Sequence, residues 1–290
     1  MQEEFHNANP NAQIKNSITF FGRGVHYNQS TNMTVIPTGS GGVIFKRTDI
    51  DNAEIHANYI NVFHTQLSTT ITNGTHSVST IEHLMAAFSY FKLKNAMILI
   101  DGPEVPLMDG GSNDFIFGLE ILDIPEQHTQ KLILKKEIKV ELNDSYIIAK
   151  PNEKPNETFK VVCKIDFENP IIGKQVNEFN ENAHNFKEKI SHAKTFGHIK
   201  QIEAMNAKGI CLGGDIFSAI VFNDSEIISP SYTHKKTDFV LHKILDFIGD
   251  LQISPFEIMG TFECYKSSHS LNNLLMRTIF SDENNFEIQN

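Results

Sequence analysis

Three short segments hold the residue types that catalysis needs. Glu82 and His83 are adjacent within the run Ser79 to Phe88, His242, Asp246 and Asp250 share the run Thr237 to Leu251, and His269 closes Lys266-Ser-Ser-His. Imidazole nitrogens and a carboxylate oxygen are the usual donors to a zinc-type ion, and a catalytic site keeps three of them and a fourth position for water. A carboxylate beside such a site is suited to take that water's proton.

Helical periodicity puts these groups on unexpected faces. In the first segment Ile81, Leu84, Met85 and Phe88 form the stripe of a helix turned to a core. His83 falls about 200° from Ile81, nearly opposite that stripe. Its neighbours there, Ala86 and Ala87, are small and apolar, which predicts a second element packed closely over them. In the second segment Val240, Ile244, Phe247, Ile248 and Leu251 make the core stripe, while His242 and Asp246 stack at roughly 200° and 240° from Val240. Gly249 lies between those angles and permits a close approach, and Asp250 continues the ridge.

Each segment also has a local explanation. Ser79-x-x-Glu82 fits a capping box, with Glu82 satisfying a helix start. His242 and Asp246 fit an i,i+4 hydrogen bond on a solvated face. If the two far faces meet, however, His83, His242 and Asp246 supply three metal ligands and Glu82 projects beside the ion as general base. His269, in a polar loop after a strand, could then be oriented by Asp250.

Strands are expected over 18–21, 33–37, 43–47, 96–100, 131–142, 145–150, 159–167, 219–223 and 256–264. Helices are expected near 80–91, from 113, over 185–192, within 197–214, over 238–251 and from 270. The polar ends, residues 1–15 and the last ten, read as frayed, and 123–130 as a linker. Each side of that linker has a His-bearing amphipathic helix, a strand and a polar loop, so the chain reads as two similar α+β units, 16–124 and 130–282.

The 290 residues are 40% hydrophobic and 21% charged, an ordinary globular composition that excludes a disordered or fibrous chain. Twenty-five basic against 35 acidic side chains leave −10, which argues against a nucleic-acid partner and against more than peripheral contact with an anionic membrane. The three cysteines form no CxxC pair, and the first residues have neither a secretory nor an anchor pattern; both fit a cytoplasmic protein.

Seven ordered motifs from about Ile18 to Phe280 resemble the bacterial UDP-3-O-acyl-N-acetylglucosamine deacetylases, the zinc enzymes of lipid A synthesis. They are GRGVH (22–26), VSTIEHLMAA (78–87), DGPEVPLMDGGS (101–112), AKTFG (193–197), KGICLGGDIFSAIVF (208–222), HKILDFIGDL (242–251) and YKSSHSLNN (265–273). The resemblance implies two domains, each a two-helix layer on a mainly antiparallel sheet, with the active site between them. It implies Zn2+, with Fe2+ as an alternative, on His83, His242 and Asp246, and Glu82 as general base. His269, held by Asp250, becomes the cationic acid or electrostatic partner, and Thr195 the donor to the oxyanion. Phe196 and the segment Ile210 to Gly214 would line a passage for the acyl chain, in an insert of the second domain. Lys243 and Lys266 would serve the diphosphate, Asp166 and Phe167 the uracil, and Lys150 the substrate more generally. The expected enzyme is a monomer acting on the UDP-acyl-sugar.

Departures from the family pattern are few. Ser268 and Ser270 flank the last histidine where the family has Gly and Ala, a cost in backbone freedom if that loop needs positive φ. Leu241 replaces an arginine, and Val25 a leucine. The alternatives are a zinc amidohydrolase for another N-acyl sugar and a non-catalytic acyl-nucleotide-sugar binder.

Overall fold

The computed structural model describes residues 16–154, 157–182 and 184–289. The first half of the chain supplies β1 (Ile18–Arg23), β2 (Ser30–Pro37), β3 (Val43–Arg47), β4 (Ala53–His56), β5 (Val62–His64), β6 (Thr70–Thr72), β7 (Ser77–Val78), α1 (Glu82–Tyr90), β8 (Ala96–Ile100) and α2 (Asn113–Leu119). Five of these strands form one sheet in the order β1-β2-β8-β3-β4, antiparallel except for the β3–β8 pair. Strands β5, β6 and β7 form a separate small antiparallel sheet just ahead of α1.

The second half supplies β9 (Lys131–Leu134), β10 (Ile138–Leu142), β11 (Ser145–Lys150), β12 (Phe159–Asp166), β13 (Lys174–Asn180), α3 (Phe186–Lys189), β14 (Phe196–His198), α4 (Ile199–Asn206), β15 (Ile220–Phe222), α5 (Asp238–Gln252), β16 (Glu257–Tyr265), α6 (His269–Phe280) and β17 (Phe286–Gln289). Its main sheet runs β10-β11-β16-β12-β13, with β9 and β17 added beside the start of β16. The architecture is α+β, and both large sheets are mainly antiparallel with a parallel pair near the centre.

The strands earn their places by alternation. Met33 and Val35 of β2, Phe45 of β3, and Val161 and Cys163 of β12 point inward at fractional exposures of 0%, while their neighbours face outward. The helices do not alternate in this way. Every α1 residue from Glu82 to Phe88 is buried, and every α5 residue except Lys243 is buried. The reason is that α1 and α5 pack on each other through the faces that carry His83, Gly249 and His242, while their core stripes face the sheets. An exposed helix face would have left His242 and Asp246 in water, so the reading of that pair as a solvated i,i+4 bond is overturned.

Several local expectations are corrected. Glu82 does not close a capping box: Ser79 lies before the helix, the N-cap is Ile81 with no side-chain bond, and Thr80 stands at φ +59°. The expected strand 131–142 breaks at Lys135, because β9 joins β16 while β10 joins β11 elsewhere in the sheet. The helix expected over 185–192 spans only Phe186–Lys189, with the Asn185 side chain as its cap. Residues 286–289 are not frayed; they form β17, which pairs antiparallel with β9. The expectation for residues 1–15 lies outside the described residues. The linker 123–130 has no helix or strand, and Gln127 fixes it by accepting the Lys94 and Asn95 N–H groups. Among the described residues no helix is long and apolar enough to cross a membrane.

Candidate metal centre and active site

One donor group comes from α1 and two from α5. His83 Nε2 lies 3.7 Å and His242 Nε2 3.4 Å from Asp246 Oδ1, and the three ligand atoms fall within 4.8 Å of one another. Ligands at about 2.0–2.1 Å around a tetrahedral ion stand roughly 3.3 Å apart, so the spacing fits one ion with little adjustment. All three residues are buried. Burial and the neighbouring His242 push His83 down to about 3, and burial lowers His242, so both rings are neutral, the form that coordinates a metal. Burial would raise Asp246, but the Lys243 ammonium and the charged His269 outweigh it and hold the carboxyl ionised.

Supporting contacts aim these donors. The His242 Nδ1–H donates to the Ala193 carbonyl at 3.0 Å, which leaves Nε2 with its lone pair toward Asp246. The Lys243 Nζ donates to Asp246 Oδ2 at 2.6 Å, which leaves Oδ1 for the ion. Asp246 Oδ1 is buried without a hydrogen-bond partner. A buried carboxylate oxygen with no donor is costly, and a cation bound between the two imidazoles removes that cost.

Beside this set lies an acid–base group. Glu82 Oε2 accepts the Thr69 N–H at 3.0 Å, and Glu82 Oε1 lies 3.7 Å from His269 Nε2. The His269 Nδ1–H donates to Asp250 Oδ2 at 2.8 Å, which turns Nε2 to the site. Burial raises Glu82 to about 8. A divalent cation alongside would add the positive charge that favours its carboxylate. Burial opposes charge on His269, but Asp250 and Glu82 outweigh it and lift the imidazole to about 10, so it is a cation at neutral pH.

These groups open into a cavity of about 390 Å3, whose wall includes Glu82, His83, His242, Asp246 and His269. Thr195, Phe196, Lys243, Lys266, Asp166 and Phe167, singled out from the sequence, line it too. Phe196 is central to one wall: its ring lies 5.8 Å from Phe167, 6.0 Å from His242 and 5.7 Å from the Lys243 ammonium. Lys266 reaches Asp144 at 2.6 Å, and the Tyr265 hydroxyl donates to Asp166 at 3.2 Å. Four residues singled out from the sequence are not on the wall: Asp250, which sits behind His269, and Lys150, Ile210 and Gly214. Lys150 pairs with Glu137 at 3.5 Å, Gly214 lies behind Val25 and Leu107, which do line the cavity, and Ile210 is partly exposed.

The backbone is constrained around this cavity. Leu67, Thr80 and Lys266, all lining it, have φ of +70°, +59° and +51°. A β-branched residue at positive φ is rare and must be held by its surroundings. Thr80 is held by its hydroxyl donating to Glu104 Oε1 at 2.8 Å, and the same carboxylate accepts the His26 and Tyr27 N–H groups. Ser268 carries no such strain: its φ is −144°, and its side chain caps α6.

The sequence pattern gave no warning of Thr65, Leu67 or Thr69. They lie in the loop between β5 and β6, where no period marks a face. Asn272 was readable, since it falls three residues after His269 on one helix face; its Nδ2–H donates to Asp250 Oδ2 at 2.7 Å.

Two imidazoles and a carboxylate around one point, with an independent carboxylate and a cationic imidazole beside them, define a candidate metal-dependent hydrolase. Residues 11–281 match the family model described as UDP-3-O-acyl N-acetylglycosamine deacetylase. Proteins named UDP-3-O-acyl-N-acetylglucosamine deacetylase from Campylobacter fetus subsp. fetus and Campylobacter lari are 36% and 35% identical over 278 residues, covering 95% of this chain and 93% of theirs. One from Thioalkalivibrio sulfidiphilus is 36% identical over 278 residues, covering 94% of this chain and 91% of its own. The chain belongs to the UDP-3-O-acyl N-acetylglycosamine deacetylase family, a family of metalloenzymes.

Proposed function

We propose that this chain removes the N-acetyl group of UDP-3-O-acyl-N-acetylglucosamine, releasing acetate, as the committed step of lipid A biosynthesis. In this reading His83, His242 and Asp246 hold Zn2+, with Fe2+ able to substitute. The observation that carries it is the orphaned Asp246 Oδ1, buried within 3.7 Å of two neutral imidazoles.

A divalent ion held there supplies an acidified water and a Lewis acid for the acetamide carbonyl. Glu82 accepts the attacking water's proton through the oxygen facing His269. The Thr195 hydroxyl and the charged His269 serve the negative charge that develops on the carbonyl oxygen. The leaving amine takes its proton from His269 or Glu82. Asp250 fixes the His269 tautomer and supports its charge. Phe167 gives an aromatic face for the uracil end, with Asp166 beside it, Phe196 lines the start of the acyl-chain passage, and Lys243 and Lys266 supply the positive charge a diphosphate needs in a chain of −10. The segment Ile210 to Gly214 carries the acyl chain, and Lys150 contributes at longer range.

We further read the chain as two domains, 16–124 and 130–282, with the reaction at their junction; the pairing of α1 from one with α5 from the other supports this. The enzyme is read as a cytoplasmic monomer with no more than peripheral membrane contact, consistent with its net charge. The deciding experiment measures acetate release from the UDP-acyl-sugar before and after chelation, then with zinc restored. Release that chelation abolishes and zinc restores is expected. A folded, metal-loaded protein that releases none from this substrate overturns the reading.

A further inference from the structure

We infer that Thr69 is a positioning residue that sets the spacing between the proton-accepting carboxylate of Glu82 and the His269–Asp250 pair. The inference rests on the roles proposed above for Glu82 and His269. Thr69 is 2% exposed, and each of its polar groups is engaged. Its N–H donates to Glu82 Oε2 at 3.0 Å, and its carbonyl accepts the N–H of Ile81, the residue before Glu82, at 3.3 Å. Its hydroxyl lies 2.5 Å from Asp250 Oδ1, and an ionised carboxylate can only accept, so the threonine is the donor.

The consequence lies in where these partners come from. Glu82 is on α1 and Asp250 on α5, so the base and the orienting carboxylate reach the site from opposite halves of the chain. Thr69 touches both through one residue's backbone and side chain. The two oxygens of Asp250 have separate tasks: Oδ2 accepts from His269 Nδ1–H and Asn272 Nδ2–H, and Oδ1 accepts from Thr69. Without the hydroxyl, Asp250 keeps its His269 bond but gains freedom to rotate about it, and His269 Nε2 loses its fixed distance of 3.7 Å to Glu82 Oε1. Binding the nucleotide end does not involve this contact, because Thr69 is not on the cavity wall.

The test compares zinc-loaded wild type with Thr69→Val, which keeps the shape and loses the donor, and Thr69→Ser, which keeps the donor. Thr69→Val is expected to lower kcat by about 10- to 100-fold, the scale of a small misplacement of catalytic groups, with KM nearly unchanged. Thr69→Ser is expected to restore most of that loss, and the proton resonance of His269 Nδ1–H is expected to move in the valine variant alone. Should Thr69→Val not fold, Thr69→Ala carries the same comparison. Wild-type kcat in the valine or alanine variant, or an equal loss in the serine variant, overturns the inference. Glu82→Gln measured alongside separates this from the underlying reading: if it retains full turnover, the role of Glu82 has failed, whatever Thr69 does.

Discussion

Gly249 of α5 lies so close to the carbonyl of Glu82 on α1 that a Cβ at position 249 would stand 2.0 Å from the oxygen and 2.9 Å from the carbon. The obstacle is backbone, so no side-chain rotation relieves it. Packing of α1 on α5 at this distance is what lets a histidine from one helix and a histidine and aspartate from the other share one ion.

Gly249→Ala is therefore expected to push the helices apart. Overpacking of a tight contact costs about 1–3 kcal/mol, and here the shift would also widen the gaps among His83, His242 and Asp246. A lower melting temperature together with a lower zinc affinity is the expected pair of results. A variant that melts early yet binds zinc as tightly as wild type would separate the packing from the metal geometry.

Asp246→Asn is expected to weaken zinc binding by more than the roughly 10- to 100-fold that loss of an outer partner costs, because a direct ligand loses its charge. It also leaves the half-buried Lys243 ammonium, now 2.6 Å from Asp246 Oδ2, without its counter-charge. Equilibrium dialysis against zinc, with circular dichroism to confirm folding, measures the effect. Retained stoichiometric zinc would remove Asp246 from the ligand set.

Glu82→Gln is expected to keep zinc and lose about 10²–10⁴ in kcat, the usual worth of a general base. The glutamine can still accept the Thr69 N–H, so the local fold is preserved. Turnover near the wild-type rate at full zinc occupancy would assign the proton to another group.

Much of this site was legible in the sequence because helices are periodic. The angles about 200° away from the core stripes placed His83 and His242 on faces that needed a partner, and Ala86, Ala87 and Gly249 showed that the partner comes close. The competing capping-box reading of Glu82 fails, since Ser79-x-x-Glu82 satisfies the spacing while Thr80 at positive φ keeps Ser79 out of the helix. Strands β4 to β7 were not legible: they are two to four residues long, too short to show an apolar period. Thr69 was lost with them, as was β17, a four-residue strand in which only Phe286 packs inward, on Phe280.

His269 gives the protein a pH signature with a definite sign. A free imidazole titrates near 6.5, whereas in the fold the Asp250 and Glu82 carboxylates overcome burial and raise His269 to about 10. Between those values the folded state binds more protons than the unfolded chain, so this group's contribution to stability is full below about pH 6.5 and is lost as the pH rises through about 10. The measurement is the difference in urea midpoint between chelated wild type and His269→Gln, followed from about pH 6 to about pH 10 across that window. The advantage of wild type is expected to shrink steadily as the pH rises. A difference that stays constant would mean that His269 is neutral in the fold, and the cation assigned to the developing oxyanion would have to come from another residue.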